Sequence, residues 1–278
     1  MRHRHIITLI KAPVLFIILL WTFFPIYWMF SLAVRSSKEL SSALSFLPKT
    51  FTFDQFGAMF AKNTFTSSVL NSLFVTFMSL ILALVIGLCC SYILARARYR
   101  LRYKGSLMFW VLLVRILPPI AFALPLYIMM TRLGLLGTYV PLIFAHVLIN
   151  LPFIIWFMIS FFESLSIEVE ESAKLDGASE LQLFVYIVLP LVMPGITAGA
   201  ILSFMTSWNE YLYGAIFVQS PSQFTIPLML ATLNSEQELA QWGNIAAGGV
   251  ISMIPIILFV IFAQNFLIKG LSSGAVKE

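Results

Sequence analysis

The N-terminal third of the chain contains two long stretches without a charged side chain. One runs for 23 residues from Ala12 to Val34, and the other covers every position from Asn63 to Ala95. A helix rises about 1.5 Å per residue, so about 20 apolar residues cross the hydrocarbon core of a bilayer. Because backbone polar groups cannot remain unpaired in lipid, a stretch that crosses it must be helical. The sequence therefore predicts membrane-spanning helices.

The composition agrees with a polytopic membrane protein. Hydrophobic residues make up 60% of the 278 positions and charged residues only 10%, which lies outside the range of soluble globular domains. Cys89 and Cys90 are adjacent and lie within an apolar stretch, so we predict neither a disulfide framework nor a metal site. The net charge of +5 is expected to report orientation in the membrane and not a nucleic-acid partner.

We predict an all-α fold with six transmembrane helices in a single domain, residues 1–278. The first hydrophobic stretch has the basic flank of a signal peptide, but its length and its lack of a small-x-small cleavage site favour a retained helix. Prolines at 118, 119, 125, 141 and 152 are expected to kink the third and fourth spans. The predicted spans cover residues 12–34, 69–94, 106–131, 138–162, 195–218 and 245–268.

The basic residues predict that both termini are cytoplasmic. With six spans, eleven Lys and Arg residues fall on the side of the N-terminus and five on the other side. Residues 35–62 are then an exposed outer loop with a small interfacial element, and residues 219–244 form another outer loop. The inner set is Arg2, Arg4, Lys11, Arg96, Arg98, Arg100, Arg102, Lys104, Lys174, Lys269 and Lys277, and the outer set is Arg35, Lys38, Lys49, Lys62 and Arg132.

A charged segment, residues 163–190, interrupts the hydrophobic chain on the predicted inner side, and we call it the elbow. It contains six of the twelve acidic residues. Ser166 can cap a first helix whose early carboxylates complement the helix dipole. Gly177 can then supply the left-handed residue that ends this helix. Its charges leave open whether the elbow is a solvated connector or a surface on which a partner docks.

A second elbow helix is predicted after Gly177. Ser179 and Gln182 have the spacing of a capping box at its start, and Pro190 and Pro194 are expected to end it. Its apolar face is predicted to consist of Leu181, Phe184, Val185 and Val188.

The order of residues in the elbow resembles the EAA loop of ATP-binding cassette importer permeases, which has E-A-A, three residues, G, and then I-x-L-P. Glu171-Ser172-Ala173 precedes Asp176-Gly177-Ala178, and Ile187-Val188-Leu189-Pro190 follows. Ser172 replaces the usual alanine with another small residue. The resemblance implies the type I importer permease fold and a docking site for a separate ATPase subunit. The residues that it assigns to ATPase coupling are Glu170, Glu171, Ala173, Asp176, Gly177, Ala178, Leu189 and Pro190.

The C-terminal residues carry a second resemblance. Gly270-Leu271 and Gly274-Ala275-Val276-Lys277 are similar to the G-L-T-x-G-A-V-K ending of the carbohydrate-uptake branch of these permeases, and so is Ser207-Trp208-Asn209-Glu210 in the fifth span. This branch, and in particular the second permease subunit of maltose-type importers, implies a sugar or sugar-like solute. It also implies that Gly270, Gly274 and Lys277 contact the ATPase.

The resemblance implies a complex in the bacterial cytoplasmic (inner) membrane. Its other members would be a second, different permease subunit, two ATPase subunits and an extracytoplasmic solute-binding protein that contacts residues 219–244. The chain contains no G-x-x-x-x-G-K-[ST] phosphate-binding loop. We therefore expect a transport subunit with no catalytic residue and no cofactor of its own, while its ATPase partners bind ATP and Mg and rock the spans through the elbow.

Arg115, His146 and Glu210 fall within predicted spans, and an ionisable group at membrane depth is a functional candidate. One interpretation is that Asn209 and Glu210 cap and cross-link helices at the outer end, near an interfacial aromatic cluster. The other is that they line the solute path or its gate together with Arg115. A direct pair between Arg115 and Glu210 is not expected, because their depths differ by about 8 Å. The aromatic cluster consists of Trp208, Tyr211 and Tyr213.

Two other classes of membrane protein fit less well. An ion-coupled secondary transporter also uses broken helices and buried charges, but it would normally show internal repeats. It would also give no reason for the spacing in the elbow. An integral membrane enzyme would need a paired carboxylate, a His/Cys cluster or a nucleophile motif facing one aqueous surface, and the sequence contains none.

Overall fold

A computed structural model describes residues 2–42, 45–96, 103–234 and 241–274, and all regular secondary structure within these ranges is helical. This confirms the predicted all-α class. A π-helical segment, Leu183–Val188, and a 3-10 turn, Pro221–Gln223, accompany the α-helices. The α-helices are α1 Arg2–Ala33, α2 Ser37–Leu40, α3 Asp54–Ala61, α4 Asn63–Ala95, α5 Lys104–Ile116, α6 Pro119–Arg132, α7 Val140–Ser164, α8 Ile167–Leu175, α9 Glu180–Gln182, α10 Leu189–Leu191, α11 Met193–Trp208, α12 Leu212–Phe217, α13 Ile226–Asn234 and α14 Gln241–Gly274.

Four helices are long and apolar enough to cross a bilayer, and they lie within α1, α4, α7 and α14. Two further pairs have the same character but are bent. The angle is 97° between α5 and α6, and 76° between the helical run Glu180–Leu191 and α11. Counting each bent pair as one span gives six spans within the described ranges, which is the number that the sequence predicts.

Prolines explain the bend between α5 and α6. Leu117 precedes Pro118 and has extended backbone angles, φ −65° and ψ 136°, because the proline ring disfavours a helical residue before it. Pro119 then lies in the first turn of α6, where the missing N–H has no helical partner to lose. The predicted kink in the third span is thus confirmed. The fourth span behaves differently, since α7 continues through Pro152.

The fifth span is interrupted at a point that the sequence did not predict. Helix α11 ends at Trp208, and α12 begins only at Leu212. At its other end, the second elbow helix ends between Pro190 and Pro194, as these two prolines predict. The chain leaves helical geometry at Val192, which has φ −95° and ψ 10°. Pro194 then lies in the first turn of α11, where its missing N–H has no helical partner to lose.

Residues 67–228 and 255–278 form one compact unit. One core joins the C-terminal half of α4 to α7 and the elbow, and buries Leu88, Tyr92, Met158, Phe162 and Leu183. Helices α7 and α11 approach each other at Gly195, where an added Cβ would lie 2.6 Å from the Phe161 ring. A small residue is therefore needed for this contact, as is usual between membrane helices.

Polar side chains connect helices within the same unit. The Asn150 amide donates to Ser207 Oγ at 2.7 Å, which links α7 to α11. Asn71 in α4 donates to the carbonyls of Ser222 and Phe224 at 2.8 and 3.0 Å. It also accepts from the Tyr139 hydroxyl at 2.8 Å. Asn71 therefore ties the start of the second outer loop to α4, and that loop contains α13 as well as irregular chain.

Residues 1–66 and 229–254 form the other compact unit. The prediction of an exposed outer loop over residues 35–62 is wrong for its first part, because Arg35 is 0% exposed and pairs with Glu39 at 3.3 Å. The Glu39 carboxylate also accepts from the backbone N–H groups of Lys49 and Thr50, each at 2.9 Å. A buried ion pair with further hydrogen bonds of this kind makes the connection a folded segment. Helices α2 and α3 belong to it.

Candidate functional site

The two halves of the elbow meet at a left-handed glycine. Gly177 has φ +88° and follows α8, where its N–H donates to the Lys174 carbonyl and the Ala178 N–H donates to the Ala173 carbonyl, each at 3.0 Å. These two bonds form a Schellman motif, which satisfies the last carbonyls of a helix. The predicted role of Gly177 is confirmed. Ala173, Gly177 and Ala178 thus build the turn, and Ala173 is itself buried.

The capping box at the second half is also present. Gln182 N–H donates to Ser179 Oγ at 3.3 Å, and Ser179 N–H donates to Gln182 Oε1 at 2.9 Å. Ser166 occupies the N-cap position of α8 as predicted, but its side chain caps no backbone N–H. Its hydroxyl donates instead to the Glu168 carboxylate.

The predicted apolar face of the second elbow helix is correct for Phe184 and Val188 and wrong for Leu181 and Val185. Val188 is fully buried and Phe184 is partly buried, whereas Leu181 is 72% exposed and Val185 is 40% exposed. Leu183, which the prediction did not include, is also fully buried. It lies five residues before Val188 because positions 183–188 form a π-helical turn, in which i→i+5 bonding replaces the α-helical pattern. A period of 3.6 residues therefore misses Leu183.

The exposed side of the elbow combines acidic and large apolar residues. Glu171 and Asp176, both assigned to coupling, are exposed. Leu175 is 89% exposed and Tyr186 is 74% exposed. We call these four residues together with Leu181 the elbow surface. Sequence reasoning did not single out Leu175 and Tyr186, although large apolar residues in a charged segment are a recognisable sign of an interaction site.

Glu170, the acidic residue before Glu171, is 1% exposed. It accepts a hydrogen bond from the Tyr92 hydroxyl at 2.9 Å, and its other oxygen lies 2.5 Å from the Arg96 guanidinium. Two neighbouring carboxylates of one helix are thus in opposite environments.

The remaining residues assigned to coupling lie at the ends of their segments. Leu189 is partly buried and Pro190 is exposed, both in α10. Gly270 and Gly274 belong to the last turns of α14. Lys277 lies outside the described residues.

A cavity of about 680 Å³ lies between α5, α6, α7, α11 and α12. Arg115 and Asn209, two of the predicted path residues, line it together with Asn150, Phe153 and Tyr213. The Arg115 guanidinium lies 4.8 Å from the centre of the Phe153 ring, within the range of a cation–π contact. The amide nitrogens of Asn150 and Asn209 donate to the carbonyls of His146 and Met205, so their amide oxygens are the groups that can accept from a solute.

Glu210 lies beside the cavity and holds the start of α12. Its carboxylate accepts from the N–H groups of Tyr213 and Gly214 at 2.9 and 3.3 Å. Its oxygen is also 3.4 Å from His146 Nε2 in α7. This geometry agrees with the interpretation that Glu210 caps and cross-links helices. The Arg115 guanidinium packs on the Phe153 ring and does not pair with Glu210.

The predicted interfacial aromatic cluster near Glu210 is wrong for two of its three members. Trp208 is 2% exposed and Tyr213 is fully buried, and only Tyr211 is exposed. The Tyr213 hydroxyl donates to the Pro119 carbonyl at 2.8 Å, so this ring secures α12 against the start of α6.

The class of this protein follows from the helical bundle and its elbow together with the family match. The family described as binding-protein-dependent transport system inner membrane component matches residues 87–273, which include both the elbow and the cavity. The chain belongs to this family. It is therefore a multi-pass membrane protein and a permease subunit of an ATP-binding cassette transporter, as the sequence predicts.

Individual relatives agree with this assignment over nearly the whole chain. The trehalose transport system permease protein SugB of Mycobacterium tuberculosis is 32% identical over 254 residues, which cover 91% of this chain and 92% of SugB. The diacetylchitobiose uptake system permease protein DasC of Streptomyces coelicolor is 32% identical over 271 residues, which cover 96% of this chain and 95% of DasC.

The fold is also known from a solved structure. A crystal structure of a bacterial ABC transporter involved in the import of the acidic polysaccharide alginate contains a chain with a TM-score of 0.80 and 22% identity. The match covers 95% of this chain and 98% of that chain. This likeness confirms the predicted importer permease fold.

Proposed function

We propose that this chain carries a sugar or sugar-like solute into the cytoplasm as one membrane subunit of an importer driven by separate ATPase subunits. The observation that carries the proposal is the elbow surface, a rigid turn that exposes acidic and large apolar residues together. A surface of this composition is suited to docking, because apolar burial supplies affinity and charge supplies orientation. The named solutes of SugB and DasC, trehalose and diacetylchitobiose, support a carbohydrate.

The ATPase would contact Glu171, Asp176 and the apolar members of the elbow surface. A basic residue of the ATPase can pair with the Glu171 carboxylate, which is free to meet it because it is exposed. The Schellman turn at Gly177 sets the angle between the two elbow helices, while Leu189 and Pro190 connect the second of them to α11. Gly270, Gly274 and Lys277 would form a second contact. ATP and Mg are bound by the ATPase subunits in this arrangement.

The complete complex would contain a second, different permease subunit, two ATPase subunits and an extracytoplasmic solute-binding protein. The binding protein would meet residues 219–244, where Asn71 and α13 give the described part a defined structure. Both termini and the elbow lie in the cytoplasm, as the distribution of basic residues favours. The membrane is the bacterial inner membrane.

The cavity lined by Arg115 and Asn209 would form part of the solute path. It offers guanidinium donors from Arg115, amide acceptors from Asn150 and Asn209, and the aromatic ring of Phe153. Sugars need this combination, since each hydroxyl both donates and accepts and their C–H faces pack on aromatic rings. Glu210 acts at the edge of the path by fixing α12, which makes it a candidate gate residue.

Reconstitution tests the proposal. The chain is placed in vesicles with candidate partners, namely a second permease, ATPase subunits and a solute-binding protein. Uptake of labelled oligosaccharides is then measured. We expect uptake only with ATP, and Glu171→Ala should remove ATPase association and uptake together. Glu163→Gln is the matched control, because Glu163 is a half-exposed residue of α7 outside the elbow surface.

Two results would contradict the proposal. Uptake by the chain without ATPase subunits, driven by an ion gradient, would indicate a secondary transporter. Wild-type ATPase association in Glu171→Ala would show that the elbow surface is not the docking site.

A further inference from the structure

The family resemblance assigns Glu170 to ATPase coupling, but its side chain does not lie on the surface that a docked partner would meet. It is 1% exposed, while Glu168 and Glu171 on the same helix are exposed. A buried carboxylate is tolerated only where charged and hydrogen-bonding partners replace water. Its partners include Tyr92 and Arg96, both at the inner end of α4.

The same place joins four segments of the chain. Arg96 donates to the carbonyl of Leu165, the residue that follows α7, at 3.3 Å. The Tyr92 ring packs on Phe162 of α7 and on Phe184 of the second elbow helix, with centroid distances of 5.4 and 5.0 Å. We call the contact of Glu170 with Tyr92 and Arg96 the elbow–α4 junction.

The junction matters because α4 is far from the elbow along the chain. Glu170 follows Tyr92 by 78 positions, whereas α7 and α11 are joined to the elbow directly by the backbone. A force on the elbow therefore reaches α7 and α11 through covalent connections. Within the described residues, it reaches α4 through side-chain packing, the Arg96–Glu170 ion pair and the hydrogen bonds that Tyr92 and Arg96 make.

Physical chemistry makes the junction stiff. Separating Glu170 from Arg96 would leave a charge buried without its partner, which is strongly unfavourable. An exposed pair such as Lys104 with Glu163, 3.7 Å apart, separates easily because water replaces each partner. The elbow and the inner end of α4 should consequently move as one body.

We infer that Glu170 is a positioning residue that transmits movement of the docked ATPase from the elbow to α4. This inference rests on the proposed docking at the elbow surface. Glu171 binds the partner, and Glu170 turns that binding into displacement of a span. Adjacent acidic residues thus have separate roles in one coupling step.

The test uses the complete complex in vesicles with its solute-binding protein. Glu170→Gln and Arg96→Gln are compared with Glu163→Gln, which breaks the exposed pair and should behave as wild type. ATPase association, ATP hydrolysis and solute imported per ATP are measured. We expect association and hydrolysis to persist in both junction variants, while import per ATP falls between about twofold and thirtyfold. The swapped pair Glu170→Arg with Arg96→Glu should recover part of this loss.

The outcomes separate this inference from the proposed function. If the wild-type chain fails to bind the ATPase, the docking proposal itself is wrong. If binding occurs but both single variants import normally per ATP, only the inference is overturned. Loss of ATPase association in Glu170→Gln would also overturn it, because Glu170 would then support docking and not transmission.

A milder variant keeps the test decisive if the charge variants do not fold. Tyr92→Phe removes one hydroxyl and leaves the ring packing on Phe162 and Phe184 intact. We expect import per ATP to fall by about twofold, at the low end of coupling effects. Unchanged import per ATP in Tyr92→Phe would overturn the inference. The inference would also be overturned if the swapped pair imported no more solute per ATP than the single variants.

Discussion

At the scale of single residues, burial decides what a carboxylate does in this protein. Glu170 and Glu171 are neighbours in α8, yet one is enclosed by Tyr92 and Arg96 and the other is exposed. Glu210 is different again, since its oxygens hold the first N–H groups of α12. Each of these acidic residues contributes through the groups that replace water around it.

Gly177 provides a sharp test at the residue scale. Its φ of +88° lies in the left-handed region, and a Cβ would meet no atom within 4 Å. Only backbone strain therefore opposes substitution, and a β-branched residue should cost about 1–3 kcal/mol at this turn. We expect Gly177→Val to uncouple ATP hydrolysis from import while the protein remains inserted in the membrane.

Gly177→Asn is the matched control, because asparagine tolerates left-handed geometry far better than valine. The measurement is import per ATP in vesicles, with membrane insertion checked by abundance after purification. Wild-type import by the valine variant would show that the angle of the elbow does not matter.

At the scale of elements, local interactions set the shape of short segments between spans. The connection after α1 is folded around Glu39, which binds Arg35 and the backbone at Lys49 and Thr50. The Lys49 N–H and the Thr50 hydroxyl lower the pKa of Glu39 from its ordinary value of 4.5 to about 2. The charged form is therefore the one that stabilises this connection.

The lowered pKa of Glu39 predicts that acid destabilises the connection after α1. Because the pKa is lower in the folded state, Glu39 contributes its full stabilisation above pH 4.5 and loses it as the pH falls from 4.5 towards 2. We expect hydrogen-exchange protection of the Lys49 and Thr50 amides to decrease over that range. Glu39→Gln should show low protection at every pH and no such transition, and a transition that persists in this variant would implicate another group.

At the scale of the whole molecule, the described spans differ in how they are built. Helices α4 and α7 are continuous, whereas the other two spans of the cavity-forming unit bend at Leu117 and break at Asn209. The interrupted spans line the cavity together with α7, and α4 and α7 both pack against the elbow. Interrupted helices at membrane depth are acceptable where they line a cavity, because their free backbone groups can meet solute or water there.

The C-terminal residues give a prediction at this scale. Deleting residues 270–278 removes the end of α14 and the tail that resembles the carbohydrate branch. We expect the shortened chain to insert normally, since the deletion begins after the predicted last span, residues 245–268, but to co-purify with less ATPase. A tail of equal length made of Gly and Ser is the control for length, and equal ATPase recovery from all three chains would argue against a tail contact.

The positions of the spans and the geometry of the elbow turn depend mainly on local sequence. Uncharged stretches determine where spans lie, and Gly177, Ser179 and Gln182 determine the elbow turn, because each depends on interactions within a few residues. Other features depend on what lies next to a residue in space. The burial of Glu170, the buried pair Leu183 and Val188, and the enclosure of Arg35 are of this kind.

Local sequence thus specifies a helical membrane protein with a charged elbow, because lipid admits few backbone structures and turns obey local chemistry. Tertiary structure decided which of two adjacent acidic residues is buried and which helices enclose a cavity. The reason is that burial and ion pairing join residues distant in the chain, and no local pattern records which partner will replace the water around a charge.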